Sequence, residues 1–318
     1  MARRRRGTGW LTAKSAMFQA MRLRYGDDAD IEIGWVKKAG EGLYRDVYRA
    51  PVEAVVRGDR LELDVAVLVP RWDAPRESDD GARREATLLN WLADQDLPFR
   101  VPGWAKAVEE ERRTIFVREF LPGIPLVMVS ERRSDFAPWE VIGQVAAAVH
   151  AIPVDTSSPV VRDHETRRDH AESCLTEVEE ISDEPVAADA VAWIRAHLPP
   201  EDPAVLTHGD LLGQNVLFTF DGPPAVIDWE YSLLGDPAYD LAVVTRGVKR
   251  PFKQRDGLAL LLDAYNEDAA CEIFPEDVRL YELYLFLNWY LESCKGEGRH
   301  PPDVSRDRLR ALLRRIDQ

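Results

Sequence analysis

Apolar and β-branched positions alternate with polar ones over residues 31–38 (IEIGWVKK), 44–50 (YRDVYRA), 61–69 (LELDVAVLV) and 113–120 (RTIFVREF), a period of two that predicts half-buried strands. Between the third and fourth, GARREATLLNWLAD at 81–94 puts Ala86, Leu88, Leu89 and Leu92 near helical spacing and predicts one amphipathic helix. The stretch EFLPGIPL then interrupts regular structure with Pro122, Gly123 and Pro125. Beyond it the period lengthens: residues 137–151, 167–181, 186–198, 254–270, 276–295 and 304–316 suit helices, and only 205–228 reads as strands. The expected fold is α+β with two lobes, a small, mostly antiparallel sheet lobe over residues 1–121 and a larger helical lobe over 122–318. Residues 1–10 are expected to be a disordered tail.

Composition narrows the classes. With 318 residues, 45% hydrophobic and 31% charged, the chain has ample material for a core, and no internal repeat or run of about 20 apolar residues marks a solenoid or a membrane span. The opening MARRRRGTGW lacks the apolar stretch of a secretory signal, so a cytoplasmic protein is expected. Cys174, Cys271 and Cys294 are far apart, with no ligand spacing for zinc, and read as reduced thiols. A net charge of −15 opposes nucleic acid and favours a cationic small molecule; Arg3–Arg6 are too few to reverse that. Nothing in the sequence specifies an oligomeric state.

The densest polar chemistry lies in VLTHGDLLGQNVLF, residues 205–218, where His208, Asp210 and Asn215 occupy one turn between two apolar runs. Asp210 and Asn215 have the D-x-x-x-x-N spacing of the kinase catalytic loop, in which the aspartate accepts a hydroxyl proton and the asparagine holds a metal. After the turn in FDGPPAV, a second apolar run ends in Asp228, and a hairpin joining the two runs would bring Asn215 and Asp228 to one edge as oxygen ligands for Mg²⁺. Phosphoryl transfer needs little more than alignment, charge neutralisation and a carboxylate for the attacking hydroxyl, so the set is chemically sufficient. Downstream, Asp236 is expected to cap a helix with Pro237 in its first position, which gives Asp236 and Asp240 architectural roles.

THGDLLGQNVLF followed by AVIDWEYSLLGDPAYDLA resembles the signature of the aminoglycoside phosphotransferase and choline kinase group, whose fold is protein-kinase-like. The match is ungapped from Val205 to Ala242 and extends more weakly from about residue 33 to 295. The resemblance implies a kinase using ATP or GTP with Mg²⁺, Asp210 as catalytic carboxylate, His208 bracing its loop, and Asn215 and Asp228 as metal ligands. It also implies a phosphate-covering turn at Gly40 and Gly42, a helix glutamate at Glu85, and base contacts from the main chain of Glu119 and Leu121. One departure stands out. The strand that should read V-A-I-K reads Val65-Ala66-Val67-Leu68-Val69-Pro70-Arg71, leaving Arg71 as the candidate to replace its lysine beside Glu85 and the phosphates.

The acceptor should be small and cationic. The acidic run TEVEEISDEP at 176–185, which includes Glu180, and further Glu230, Glu282 and Glu292 are its candidate contacts. The expected activity is phosphorylation of an aminoglycoside-type antibiotic, a reading that would make the protein a resistance enzyme. A macrolide, choline, an amino alcohol or a sugar as acceptor, or a nucleotide-binding protein without turnover, are the alternatives.

Overall fold

The computed structural model describes residues 9–42, 44–71, 73–110, 112–130, 137–181, 183–245 and 257–316. They form two compact units, one of residues up to Gly123 together with Thr219–Glu230, the other of Ile124–Phe218 and Tyr231 onward. The unit boundary thus falls close to the Pro-Gly-Pro interruption, but a short segment carrying Asp228 belongs to the first unit although it follows the catalytic-loop sequence.

In the first unit, α1 (Gly9–Tyr25) precedes β1 (Asp30–Ile33), β2 (Lys37–Glu41), β3 (Arg45–Val56), β4 (Asp59–Pro70), α2 (Glu77–Leu92), β5 (Ala105–Glu110) and β6 (Arg113–Glu119). The helix α1 starts inside the stretch expected to be tail; Arg3–Arg6 lie outside the described residues. Its buried stripe is Ala13, Ala16, Met17, Ala20 and Met21, while Trp10, Leu11, Phe18 and Leu23 lie on the exposed side, so apolar residues on both faces leave no amphipathic contrast to read. The strands pair antiparallel in the order β1-β3-β4-β6-β5, with β2 also on β3. Val65 and Val67 of β4 and Ile115 and Val117 of β6 join Ala50 and Val52 in a core sealed by α1. By the alternation of a pleated sheet, Ala66, Leu68, Phe116 and Arg118 face away from α1, where Ala66 pairs with Arg118 and Leu68 with Phe116.

The second unit continues with β7 (Ile124–Pro125), α3 (Leu126–Ser130), α4 (Pro138–His150), α5 (Arg167–Val178), a 3-10 turn (Glu179–Ile181), α6 (Pro185–Ala196), β8 (Val205–Thr207) and β9 (Val216–Phe218). After β10 (Ala225–Val226), in the segment belonging to the first unit, come β11 (Leu233–Gly235), α7 (Pro237–Thr245), α8 (Gly257–Asp268), α9 (Pro275–Lys295) and α10 (Pro302–Ile316). The strands expected over 205–228 are only two or three residues long, and the polar turn between β8 and β9 fills most of that stretch. Antiparallel pairs β7 with β9 and β8 with β11 bracket that turn. No helix among the described residues is long and apolar enough to cross a membrane.

The helices α4 and α8 cross where Gly143 leaves room for backbone. A Cβ there would lie 2.8 Å from the Leu261 carbonyl oxygen and 3.0 Å from the Tyr265 nitrogen. Main chain cannot yield as a side-chain tip can, so Gly143→Ala is expected to lower stability by about 1–3 kcal/mol, read from urea unfolding.

Candidate active site

The turn after β8 is folded by its own side chains. The Asn215 Nδ2 donates to the Asp210 carbonyl at 2.8 Å and to its Oδ2 at 3.1 Å, while the Leu212 amide donates to the Asp210 carbonyl at 2.7 Å. The D-x-x-x-x-N spacing is therefore the length of one closed loop. The Asp210 amide donates to His208 Nδ1 at 3.2 Å, so that ring nitrogen is the unprotonated one. His208 is wholly buried and Asn215 nearly so, whereas Asp210 is half-buried at the loop's tip. Gly209 sits at φ +80°, and a Cβ on it would come within 2.2 Å of the Tyr231 carbonyl oxygen, so both conformation and space require glycine.

Beneath the loop lies Asp240 of α7, fully buried. Its Oδ2 accepts the His208 amide at 2.6 Å and its Oδ1 the Gly209 amide at 2.8 Å; His150 Nε2 of α4 lies 3.2 Å from Oδ2. The other ring nitrogen of His150 meets the Tyr265 hydroxyl at 3.0 Å. Burial would raise the Asp240 pKa, but the His150 hydrogen bond and the charges and amide around it hold it below the ordinary carboxylate value. Next to it, Asp236 caps α7 by accepting the Ala238 amide at 2.9 Å and pairs with Arg167 at 3.1 Å.

The first unit holds a second buried cluster. Glu85, 1% exposed on α2, accepts the Trp229 amide through Oε1 at 3.2 Å, and its Oε2 is buried without a hydrogen-bond partner. The guanidinium of Arg45, at the start of β3, lies 3.9 Å from Glu85 and 3.2 Å from Glu230, and donates to the Ser78 carbonyl at 2.5 Å. Arg118 of β6 is buried too, donates to the Glu119 carbonyl at 3.0 Å, and feels the charges of Glu85 and Asp228. Burial and the Asp228 charge push Glu85 up to about 8, against the pull of Arg45 and Arg118. Asp228 itself has φ 72°, a left-handed conformation that few non-glycine residues adopt, aspartate among those that tolerate it best.

The remaining candidates are placed as follows. Arg71 ion-pairs with Glu41 at 3.4 Å and Asp46 at 3.1 Å, at the mouth of the β2–β3 hairpin; the cation paired with Glu85 is Arg45, which strand periodicity alone did not single out. Gly40 lies in β2 beside a register shift, and the Gly42 amide donates to the Arg45 carbonyl at 2.7 Å, closing the hairpin. The Glu119 amide donates to Trp104 O at 3.2 Å and its carbonyl accepts from Arg118, which engages both of its main-chain groups; Leu121 is buried. The acidic run is engaged from inside the protein: Glu177 accepts from the Tyr284 hydroxyl, Glu179 pairs with Arg195, Glu180 with Lys295, and Glu184 caps α6. Glu282 is buried against Arg279, and Glu230 belongs to the Arg45 cluster of the first unit. Glu292 is part-buried on α9, and burial and the nearby Glu297 raise its pKa.

Residues 53–274 match the phosphotransferase enzyme family. The chain belongs to that family. Among its curated relatives, acyl-CoA dehydrogenase family member 10 of Mus musculus is 27% identical over 172 residues, half of this chain and 16% of that protein. Viomycin phosphotransferase of Streptomyces vinaceus is 30% identical over 193 residues, covering 53% of this chain and 63% of the relative. Each match thus spans less than two thirds of the relative's own length. The solved GDP and kanamycin complex of an aminoglycoside phosphotransferase shares the fold, with a TM-score of 0.64, 16% identity and coverage of 94% of this chain and 99% of that one.

Two predictions rest on these clusters. Asp240→Asn leaves one of the two loop amides facing an NH2 group and should cost about 2–3 kcal/mol in urea unfolding. For Glu85 the folded value lies above the ordinary 4.5, so the unfolded chain ionises first and the fold loses stability as pH rises from 4.5 through about 8. Glu85→Gln removes that term; in metal-free protein its melting temperature should fall less than the wild type's over this interval, followed by circular dichroism.

Proposed function

We propose that this phosphotransferase is a small-molecule kinase that moves the γ-phosphate of ATP or GTP onto a hydroxyl of an aminoglycoside-type acceptor. The observation that carries the reading is the closed loop in which Asn215 grips Asp210 by both its carbonyl and its carboxylate, with Asp240 fixing the loop backbone from below. In this scheme the Asp210 carboxylate accepts a hydrogen bond from the acceptor hydroxyl and takes its proton as the hydroxyl oxygen bonds to the γ-phosphorus and the bond to the leaving diphosphate breaks. His208 keeps the loop in shape through the Asp210 amide.

By the motif, Asn215 and Asp228 are the residues that would hold Mg²⁺. They offer an amide and a carboxylate oxygen, the hard donors this ion takes, and the Asn215 Nδ2 is bonded to Asp210, so its oxygen is the group left for a cation. The ion would supply neutralisation of phosphate charge. An acceptor carrying several ammonium groups suits the chain's net charge of −15, and viomycin phosphotransferase is among its relatives. Since Glu177, Glu179 and Glu180 have internal partners, the whole-chain field rather than that run supports the cationic acceptor. A cytoplasmic location fits a nucleotide-dependent enzyme.

The test is nucleoside-diphosphate release with Mg²⁺, ATP or GTP, and a panel of aminoglycosides, viomycin, macrolides, choline and other amino alcohols. Turnover with aminoglycosides is expected; turnover restricted to macrolides or choline would move the acceptor, and nucleotide binding without any turnover would make the chain non-catalytic. Asp210→Asn should lower kcat by about a hundredfold to ten-thousandfold with the nucleotide Kd held. Full activity in that variant would remove Asp210 from its role.

A further inference from the structure

Position 68 is where the strand reading V-A-V-L should carry its lysine. Leu68 points to the face of the sheet away from α1, opposite Phe116, and Arg118 lies two residues further along β6 on the same face. Such diagonal neighbours are about 7–8 Å apart across a sheet, a gap that an arginine side chain spans. A guanidinium rooted at 118 therefore reaches the space an ammonium rooted at 68 would have filled.

The surroundings of Arg118 match that task. It is 8% exposed on a strand whose neighbours are apolar, and a buried cation is tolerated only with anionic partners. Among the described residues its hydrogen bond is one from Nη1 to the Glu119 carbonyl, out of five donors on the group. Burial lowers its pKa, and the charges of Glu85, Asp228 and Glu119 oppose that only in part. Glu85 in turn keeps Oε2 buried and without a hydrogen-bond partner. Arg45 does not fill this role, because Ser78, Glu230 and Glu85 occupy its guanidinium, and Arg71 is paired with Glu41 and Asp46 at the hairpin.

We propose that Arg118 is the phosphate-holding cation of this chain, transplanted by one strand from the usual lysine position, and that its remaining N–H donors bind the nucleotide's phosphates. Arg45 is the positioning residue that ties Glu85 to the first turn of α2 and to Glu230. The inference rests on the kinase reading above.

The experiment is calorimetric titration of the full chain with MgATP, MgGTP and adenosine. Arg118→Met should raise the Kd of whichever nucleotide the wild type binds by about tenfold to a hundredfold, leaving the adenosine Kd within about twofold. Adding Leu68→Lys to that variant should recover most of the lost affinity, which a merely structural arginine would not permit. If the Met variant melts early, Arg118→Gln, which keeps a polar tip without charge, carries the same expectation. An unchanged nucleotide Kd, or an equal loss for adenosine, overturns the assignment of Arg118 alone. A wild type that binds neither nucleotide overturns the kinase reading with it.

Discussion

The geometry of the candidate catalytic loop depends on one buried carboxylate. Asp240 takes the amides of His208 and Gly209 on its two oxygens and meets His150 as well, so the loop's backbone is pinned from inside the protein and not by its own exposed face. Two consecutive amides can reach one carboxylate only if the chain turns sharply there, which is why Gly209 adopts φ +80° against the Tyr231 backbone. With its stem fixed, the loop can hold Asp210 half-exposed at its tip while His208 and Asn215, on either side in sequence, are buried beneath it. A wholly buried acid is costly unless its hydrogen bonds are made, and here each oxygen has a donor within hydrogen-bonding distance.

The cluster in the first unit is the opposite case, a set of buried charges that is not fully satisfied. Glu85 fixes the main chain at Trp229, the residue after Asp228, and is itself shared between Arg45 and the field of Arg118. Its second oxygen, beside Arg45, lacks a hydrogen-bond partner among the described residues.

The loop was legible because its chemistry is local. Asp210 and Asn215 are five residues apart and bond to each other, so sequence spacing and spatial spacing coincide. The antiparallel strands and most helices were legible for the same reason: alternation and helical periodicity are properties of adjacent positions. The helix α1 escaped because alanines and methionines form its buried stripe while Leu11, Phe18 and Leu23 sit on its exposed side, leaving no clear apolar period. The acidic run at 176–185 was legible as charge but not as structure, since Tyr284, Arg195 and Lys295 come to it from other helices.

The amino-acid sequence by itself determined the class of fold, the catalytic-loop signature and the absence of a lysine from its expected strand, all of them statements about neighbours along the chain. Only the tertiary structure decided which cation meets Glu85. Arg45, Arg71 and Arg118 are alike as residue types, and their distances from Glu85 depend on strand register: pairing Ala66 with Arg118 brings one arginine to the α2 face, while the hairpin pairing of Arg45 with Pro70 leaves Arg71 beyond the paired rungs, next to Asp46. Register is set by how two faces of a sheet bury their side chains, a long-range condition that a linear pattern does not encode.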